Sequence, residues 1–231
     1  MNELIQQENL LIGNKNSIAA LESTDHGRIL LVSDSHGRRD ILLDIIMRYG
    51  PSCHCFAFCG DGLSDIAYIF GLAATQKDLQ EALPPVKAIV AGNCDPSSYP
   101  LNNGSSLDAP YKQIININGQ HIMITHGHKV GVSYGFEKYG LELQLAGCKT
   151  GLFGHTHVAE EVSEGGFKFI NPGSCSNPRG GQPAGFAILT VEKTFVDTAF
   201  IKIDKSEKSG ISGKKMATKS GSQIKIIKIN N

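Results

Sequence analysis

His54-Cys55-Phe56-Ala57-Phe58-Cys59-Gly60-Asp61-Gly62 is the stretch on which the fold turns. Residues 54–59 are apolar on both faces, the mark of a central strand covered on each side. The run ends in a carboxylate with glycine before and after it. Glycine takes positive φ at no steric cost and lets the backbone crowd a bound ion. A carboxylate so placed at a strand end can reach two cations at once, so the other donors are sought around Asp61.

Working outward, Arg28 to Val32 is a continuous apolar strand that stops at Ser33-Asp34-Ser35-His36-Gly37. Leu42, Ile45, Ile46 and Tyr49 share one face of a helix, which Gly50-Pro51 ends. Helix follows around 63–82, and Pro84-Pro85 separates it from a third strand over 86–91. This β-α-β-α-β order implies a parallel sheet with right-handed crossovers. The pattern then changes, because Tyr111–Ile117 and Gln120–Thr125 flank Asn118-Gly119, a strong hairpin signal. A helix over 133–146 is closed by Gly147, and a strand over 149–153 leads into Gly154-His155-Thr156-His157. Short strands follow over 158–163, 166–170, 184–192 and 195–203. The expected fold is a mixed α/β (α+β) domain over 28–204. Its architecture is a four-layer α/β/β/α sandwich, two mixed β-sheets flanked by helices. Residues 1–27 read as an N-terminal extension with a helix over 3–12. Residues 205–231 read as a basic, Lys/Ser/Gly-rich tail, with one more strand over 223–229.

The zero formal charge is unevenly spread. From Lys205 onward seven Lys face one Glu, which leaves 15 basic against 21 acidic residues in the body. An acidic body argues against a duplex nucleic-acid binder. No apolar run reaches the roughly 18 residues of a membrane span, and Met1-Asn2-Glu3 does not open a signal peptide. The six Cys (53, 55, 59, 94, 148 and 175) stand mostly in apolar strand contexts. They read as reduced thiols of a cytoplasmic protein; Cys53-x-Cys55 without a second pair is a poor zinc signature.

The polar residues at strand ends form a constellation. Strand one delivers Asp34 and His36, strand two Asp61, and strand three Asn93 within Gly92-Asn93-Cys94-Asp95. His126 and His128 follow the hairpin, and His155 and His157 follow the next strand. Each comes after an apolar run, at the carboxyl edge where open α/β sheets bind ligands. Mixed carboxylate, imidazole and amide donors suit Mn, Fe, Co, Ni or Zn. In a two-metal site such ions lie roughly 3.5–4 Å apart and clamp the attacking and leaving oxygens.

The order D-x-H, GD, GN-x-D, H-G-H, G-H-T-H, with Asn171-Pro-Gly-Ser174, resembles the calcineurin-like metallophosphoesterases. It is most similar to their small single-domain bacterial and archaeal phosphodiesterases, over about Arg28 to Asp204. The resemblance implies one ion on Asp34, His36, Asp61 and His157, and a second on Asp61, Asn93, His126 and His155. Asp61 then bridges two divalent ions, with Mn preferred and Ni, Fe, Co or Zn as alternatives. His128 matches no ligand position unambiguously and is expected in phosphate contact or in orienting a ligand, Asp95 is expected to orient a neighbouring group, and Cys94 is the departure at the catalytic position. Many relatives carry at the Cys94 position a His that protonates the leaving oxygen, and a thiol is a poor substitute. Arg38 and Arg39 stand beside a helix N-terminus, where anions are favoured.

The expected activity is therefore hydrolysis of small organic phosphodiesters by a hydroxide bridging two ions. The alternatives are a phosphomonoesterase, a nuclease or a non-catalytic module like a retromer subunit. The partner is a small phosphodiester; nucleic acid enters only under the nuclease alternative, and homo-oligomer formation is left open.

Overall fold

The computed structural model describes residues 3–101 and 104–203. In chain order its elements are α1 (Lys15–Glu22), β1 (Gly27–Val32), α2 (Arg39–Tyr49), β2 (Cys55–Phe58), α3 (Leu63–Ala73) and α4 (Lys77–Ala82). Next come β3 (Val86–Ile89), the short pair β4 (Ser98–Pro100) and β5 (Ser106–Asp108), the hairpin β6 (Lys112–Ile117) and β7 (Gln120–Thr125), and α5 (Glu137–Leu145). The last are β8 (Thr150–Leu152), β9 (Ala159–Glu164), β10 (Phe167–Pro172), β11 (Gly185–Val191) and β12 (Val196–Lys202).

One sheet runs β12-β11-β1-β2-β3 and the other β6-β7-β8-β10-β9. β1, β2 and β3 are parallel, whereas β11 and β12 join antiparallel. The second sheet is mixed as well, with β8 parallel to both β7 and β10. Alternation along the strands divides three cores. Leu30, Val32, Phe56 and Phe58 face the layer of α2, α3 and α4. Ile29, Leu31, Cys55 and Ala57 face the second sheet, against Ile115, Ile122, Ile124 and Leu152. Beyond that sheet, Met123, Phe153 and Phe169 pack on Tyr139 and Leu143 of α5. The four layers are those expected.

Several details differ from the sequence reading. No helix forms over 3–12. Ile12 instead exchanges backbone hydrogen bonds with Lys87 at 2.9 and 2.8 Å, so this segment pairs with the otherwise open edge of β3. An unpaired strand edge offers a row of backbone bonds that a short isolated helix cannot match. Leu21 of α1 is buried among the inter-sheet residues, where α1 reaches β3 and β6. The helix expected over 63–82 breaks at Thr75-Gln76 into α3 and α4, and the one over 133–146 begins only at Glu137, after Gly135 at φ 138°. The β4–β5 pair was not foreseen. Cys53 and Cys55 are buried free thiols; burial pushes Cys55 up to about 12, which argues against a zinc-binding thiolate pair. The strand expected over 223–229 lies outside the described residues. Among those described, no helix is long and apolar enough to cross a membrane.

Candidate metal centre

Four loops at the carboxyl ends of β1, β2, β3 and β7 meet the one that follows β8. Their backbones are held in unusual conformations. Seven non-glycine residues among those described have positive φ, and five are proposed donors: Asp34 (56°), His36 (43°), Asp61 (57°), His155 (68°) and His157 (61°). Left-handed backbone is costly away from glycine and persists where the surroundings over-determine it. Here the surroundings are backbone bonds between loops. Asp34 N–H donates to Gly60 O and His36 N–H to Asp61 O, each at 3.0 Å, so the two loops extend the β1–β2 ladder. Close approach then demands glycine. A Cβ on Gly92 would stand 2.0 Å from Asp61 Oδ1, and one on Gly154 would stand 2.7 Å from Asp34 Oδ2.

Three donor triplets have all their atoms within 4.8 Å of one another: Asp34, His36 and His157; Asp34, Asp61 and His126; and His36, Asp61 and Cys94. Asp34 Oδ2 is occupied by the Ser33 hydroxyl and the His155 N–H. Its Oδ1 is buried with no hydrogen-bond donor, 3.1 Å from His157 Nε2 and 3.8 Å from His36 Nε2. His157 Nδ1 lies 2.6 Å from Asn177 O, and His126 Nδ1 lies 2.7 Å from Cys59 O. A carbonyl only accepts, so each Nδ1 carries the proton and each neutral ring turns the Nε2 lone pair inward. His126 Nε2 thereby meets Asn93 Oδ1 at 3.0 Å and Asp61 Oδ2 at 3.5 Å. Acceptors facing acceptors need a cation between them. Protons alone can play that part: Asp34 raises the His157 pKa, and for His126 burial opposes the charge but Asp61 and Asp34 outweigh it. Burial likewise works against the Asp61 carboxylate, yet His126 and the Cys94 N–H pull its pKa well below the ordinary range. A divalent ion supplies the same charge with a geometry suited to imidazole and carboxylate. The donor set fits such an ion.

The remaining candidates stand around this nucleus. The His155 ring is 5.1 Å from that of His126, centroid to centroid, and belongs to none of the three triplets. His128 is 5.4 Å from His126, and its buried Nδ1 has no partner. Burial and then the neighbouring His126 lower its pKa. The Asp95 carboxylate turns away from the pocket. It accepts the N–H groups of Asp61 (2.7 Å), Gly62 (3.0 Å), Leu63 (2.8 Å) and Gly92 (3.0 Å). It therefore caps α3 and fixes the Asp61 loop. Arg38 pairs with Asp40, and Arg39 lies 4.1 Å over the Tyr68 ring.

Residues 28–194 match the sequence model of the calcineurin-like phosphoesterase superfamily domain. The chain belongs to that superfamily. Among relatives, it is 28% identical to the probable metallophosphoesterase YsnB of Bacillus subtilis over 172 residues, 74% of this chain and 89% of YsnB. It is 32% identical to the phosphodiesterase YfcE of Escherichia coli K12 over 169 residues, covering 70% of this chain and 86% of YfcE. A predicted phosphoesterase of Streptococcus pneumoniae TIGR4 superposes with TM-score 0.60 at 25% identity, over 78% of this chain and 91% of that one. Vacuolar Protein Sorting 29 of Cryptosporidium parvum shares the fold, with TM-score 0.60 at 16% identity over 80% and 95% of the two chains.

This calcineurin-like phosphoesterase also supports its donors with residues to which the sequence assigned no role. Asp65 Oδ2 accepts Ser35 Oγ–H at 2.6 Å and Gly37 N–H at 2.9 Å, tying α3 to the Asp34–His36 turn. Ser174 and Ser176 hydroxyls donate to Asp34 O at 2.7 and 3.0 Å. Asn171, fully buried, donates to Gly154 O and to Thr156 Oγ1, and so holds the loop of His155 and His157. Asn171 and Ser174 carried a signal in the Asn171-Pro-Gly-Ser174 motif. Asp65 had none beyond its place in the first turn of a helix.

Proposed function

We propose that the protein is a divalent-metal-dependent phosphodiesterase acting on small organic phosphates, with Asp61 shared between two ions. The observation that carries this reading is the buried Asp34 Oδ1, without a donor, facing the inward Nε2 atoms of His36 and His157. Asp34, His36, Asp61 and His157 would hold one ion, and Asp61, Asn93, His126 and His155 the other. Manganese is the first ion to try, with Ni, Fe, Co and Zn next. Bound there, such ions polarise phosphoryl oxygens and lower the pKa of water.

The chain's own groups do the rest. His128, whose pKa burial and then His126 lower, stands beside the His126 ring and would offer a ring N–H to a phosphoryl oxygen. Asp95 acts through the Asp61 backbone as a positioning residue. Cys94 stands exposed at the pocket, where burial and Asp61 raise its pKa. A thiol gives the leaving oxygen little protonation, which favours esters with acidic leaving groups. The similarity to a phosphodiesterase at 32% identity supports the choice of substrate class. To test it, the metal-stripped protein is assayed on an aryl phosphodiester with Mn, Ni, Co, Fe and Zn in turn. Metal-dependent turnover is expected, and its absence with all five would sink the proposal. A monoester, a cyclic nucleotide and single-stranded DNA run alongside would separate the phosphomonoesterase and nuclease alternatives.

A further inference from the structure

Of the six cysteines, Cys53, Cys55, Cys59, Cys148 and Cys175 are buried, and only Cys94 is exposed. Its Sγ lies within 4.8 Å of both a ring nitrogen of His36 and a carboxylate oxygen of Asp61, and those two lie as close to each other. The position is fixed rather than incidental. Cys94 N–H donates to Asp61 Oδ1 at 2.8 Å, and Asn93 Nδ2 donates to the sulfur at 3.3 Å. The other two triplets contain only nitrogen and oxygen donors. Imidazole and carboxylate accept most first-row ions, whereas sulfur selects soft ones.

We propose that Cys94 is a metal ligand, its sulfur joining His36 and Asp61 around a thiophilic divalent cation, zinc above all. On binding, the Sγ–H proton passes to solvent and the sulfur lone pair forms the bond to the ion; no electron is transferred. Asp34, Asp61, His126 and His157 are buried, whereas Cys94 and His36 are on the exposed side. Sulfur therefore covers the solvent-facing approach to the ion, the direction from which a phosphate ester arrives. Zinc holds the centre in this thiol-closed form, while manganese and magnesium leave the thiol free. The inference rests on reading the site as a metal centre and not on its activity.

Because one thiol is exposed, a thiol reagent reads it alone. The full-length, metal-stripped protein is treated with dithiobis-nitrobenzoate without added metal, with one equivalent of zinc, or with manganese. We expect zinc to slow the reaction at least tenfold and manganese to change it less than twofold. His36→Ala should restore reactivity in zinc. Cobalt(II) gives the second readout: a near-ultraviolet sulfur-to-metal charge-transfer band in the natural protein that disappears in Cys94→Ser. Equal protection by zinc and manganese, or a cobalt spectrum unaltered in Cys94→Ser, would overturn the assignment. Zinc bound with undiminished thiol reactivity also overturns it while leaving the metal centre standing. If dialysis against each ion shows no uptake at all, the metal-centre reading fails with it.

Discussion

The first sheet buries charge in two places, and it does so in opposite ways. At its carboxyl edge, Asp34, Asp61, His126 and His157 lie together, each ionisable group answered by another of opposite tendency. Within β3, Lys87 is fully buried and, among the described residues, has no carboxylate partner; its Nζ donates to Glu3 O at 3.2 Å and Pro85 O at 3.4 Å. Burial lowers its pKa from 10.5 to about 8. The edge cluster invites a cation from outside. Lys87 is itself the cation, satisfied by one carbonyl of the segment that covers β3 and one from the residues just before it. Buried charge thus marks a site of chemistry where several acceptors converge, and an anchor where one donor meets neutral acceptors.

The contrast can be broken at either end. Asp61→Asn removes the carboxylate common to two triplets, and metal-dependent phosphodiester turnover should fall at least about a hundredfold. Cys94→Ala should cost far less, and equal losses in the two variants would contradict the shared role of Asp61. Asn171→Ala leaves every donor in place and loosens the loop of His155 and His157. Metal affinity, read by titration, should weaken about tenfold, the usual scale for residues that orient ligands. Lys87→Met removes this buried ammonium. The lowered pKa corresponds to a burial penalty of about 3 kcal/mol, partly offset by the two carbonyls left bare. Denaturant unfolding at pH 7 should show a net gain of about 1 kcal/mol. A smaller effect concerns pH. Since the folded pKa of Lys87 is depressed, the unfolded chain holds more protons between about pH 8 and 10.5. Stability should rise with pH across that window in the natural protein relative to Lys87→Met. A parallel pair of curves would show that Lys87 is not the source.

Much of this was legible in the chain, for local reasons. Continuous apolar runs gave β1 and β2 their central places, and Asn118-Gly119 gave the hairpin of β6 and β7. Most proposed donors stand in loops that follow such runs, so strand reading alone brought them to one edge. What escaped notice depends on partners distant in sequence. Ile12 becomes strand-like only because β3 has an open edge, and three-residue strands such as β4 carry too little pattern to detect. Asp65 and Ser176 look like ordinary helix-start and turn residues until their acceptors and donors are known. Asp95 reads as an orienting residue, but only the backbone amides of Asp61, Gly62, Leu63 and Gly92 show what it orients.

The hydroxyls on Asp34 O have one more consequence. They come from Ser174 and Ser176, 140 and 142 residues further along the chain. A nascent chain that has emerged only as far as Pro172 already carries Asp34, His36, Asp61, Asn93, His126, His155 and His157. It still lacks both serines, the Asn177 carbonyl that sets the His157 tautomer, and β11, which pairs with β1. During synthesis the donors therefore emerge before the contacts that fix their loops.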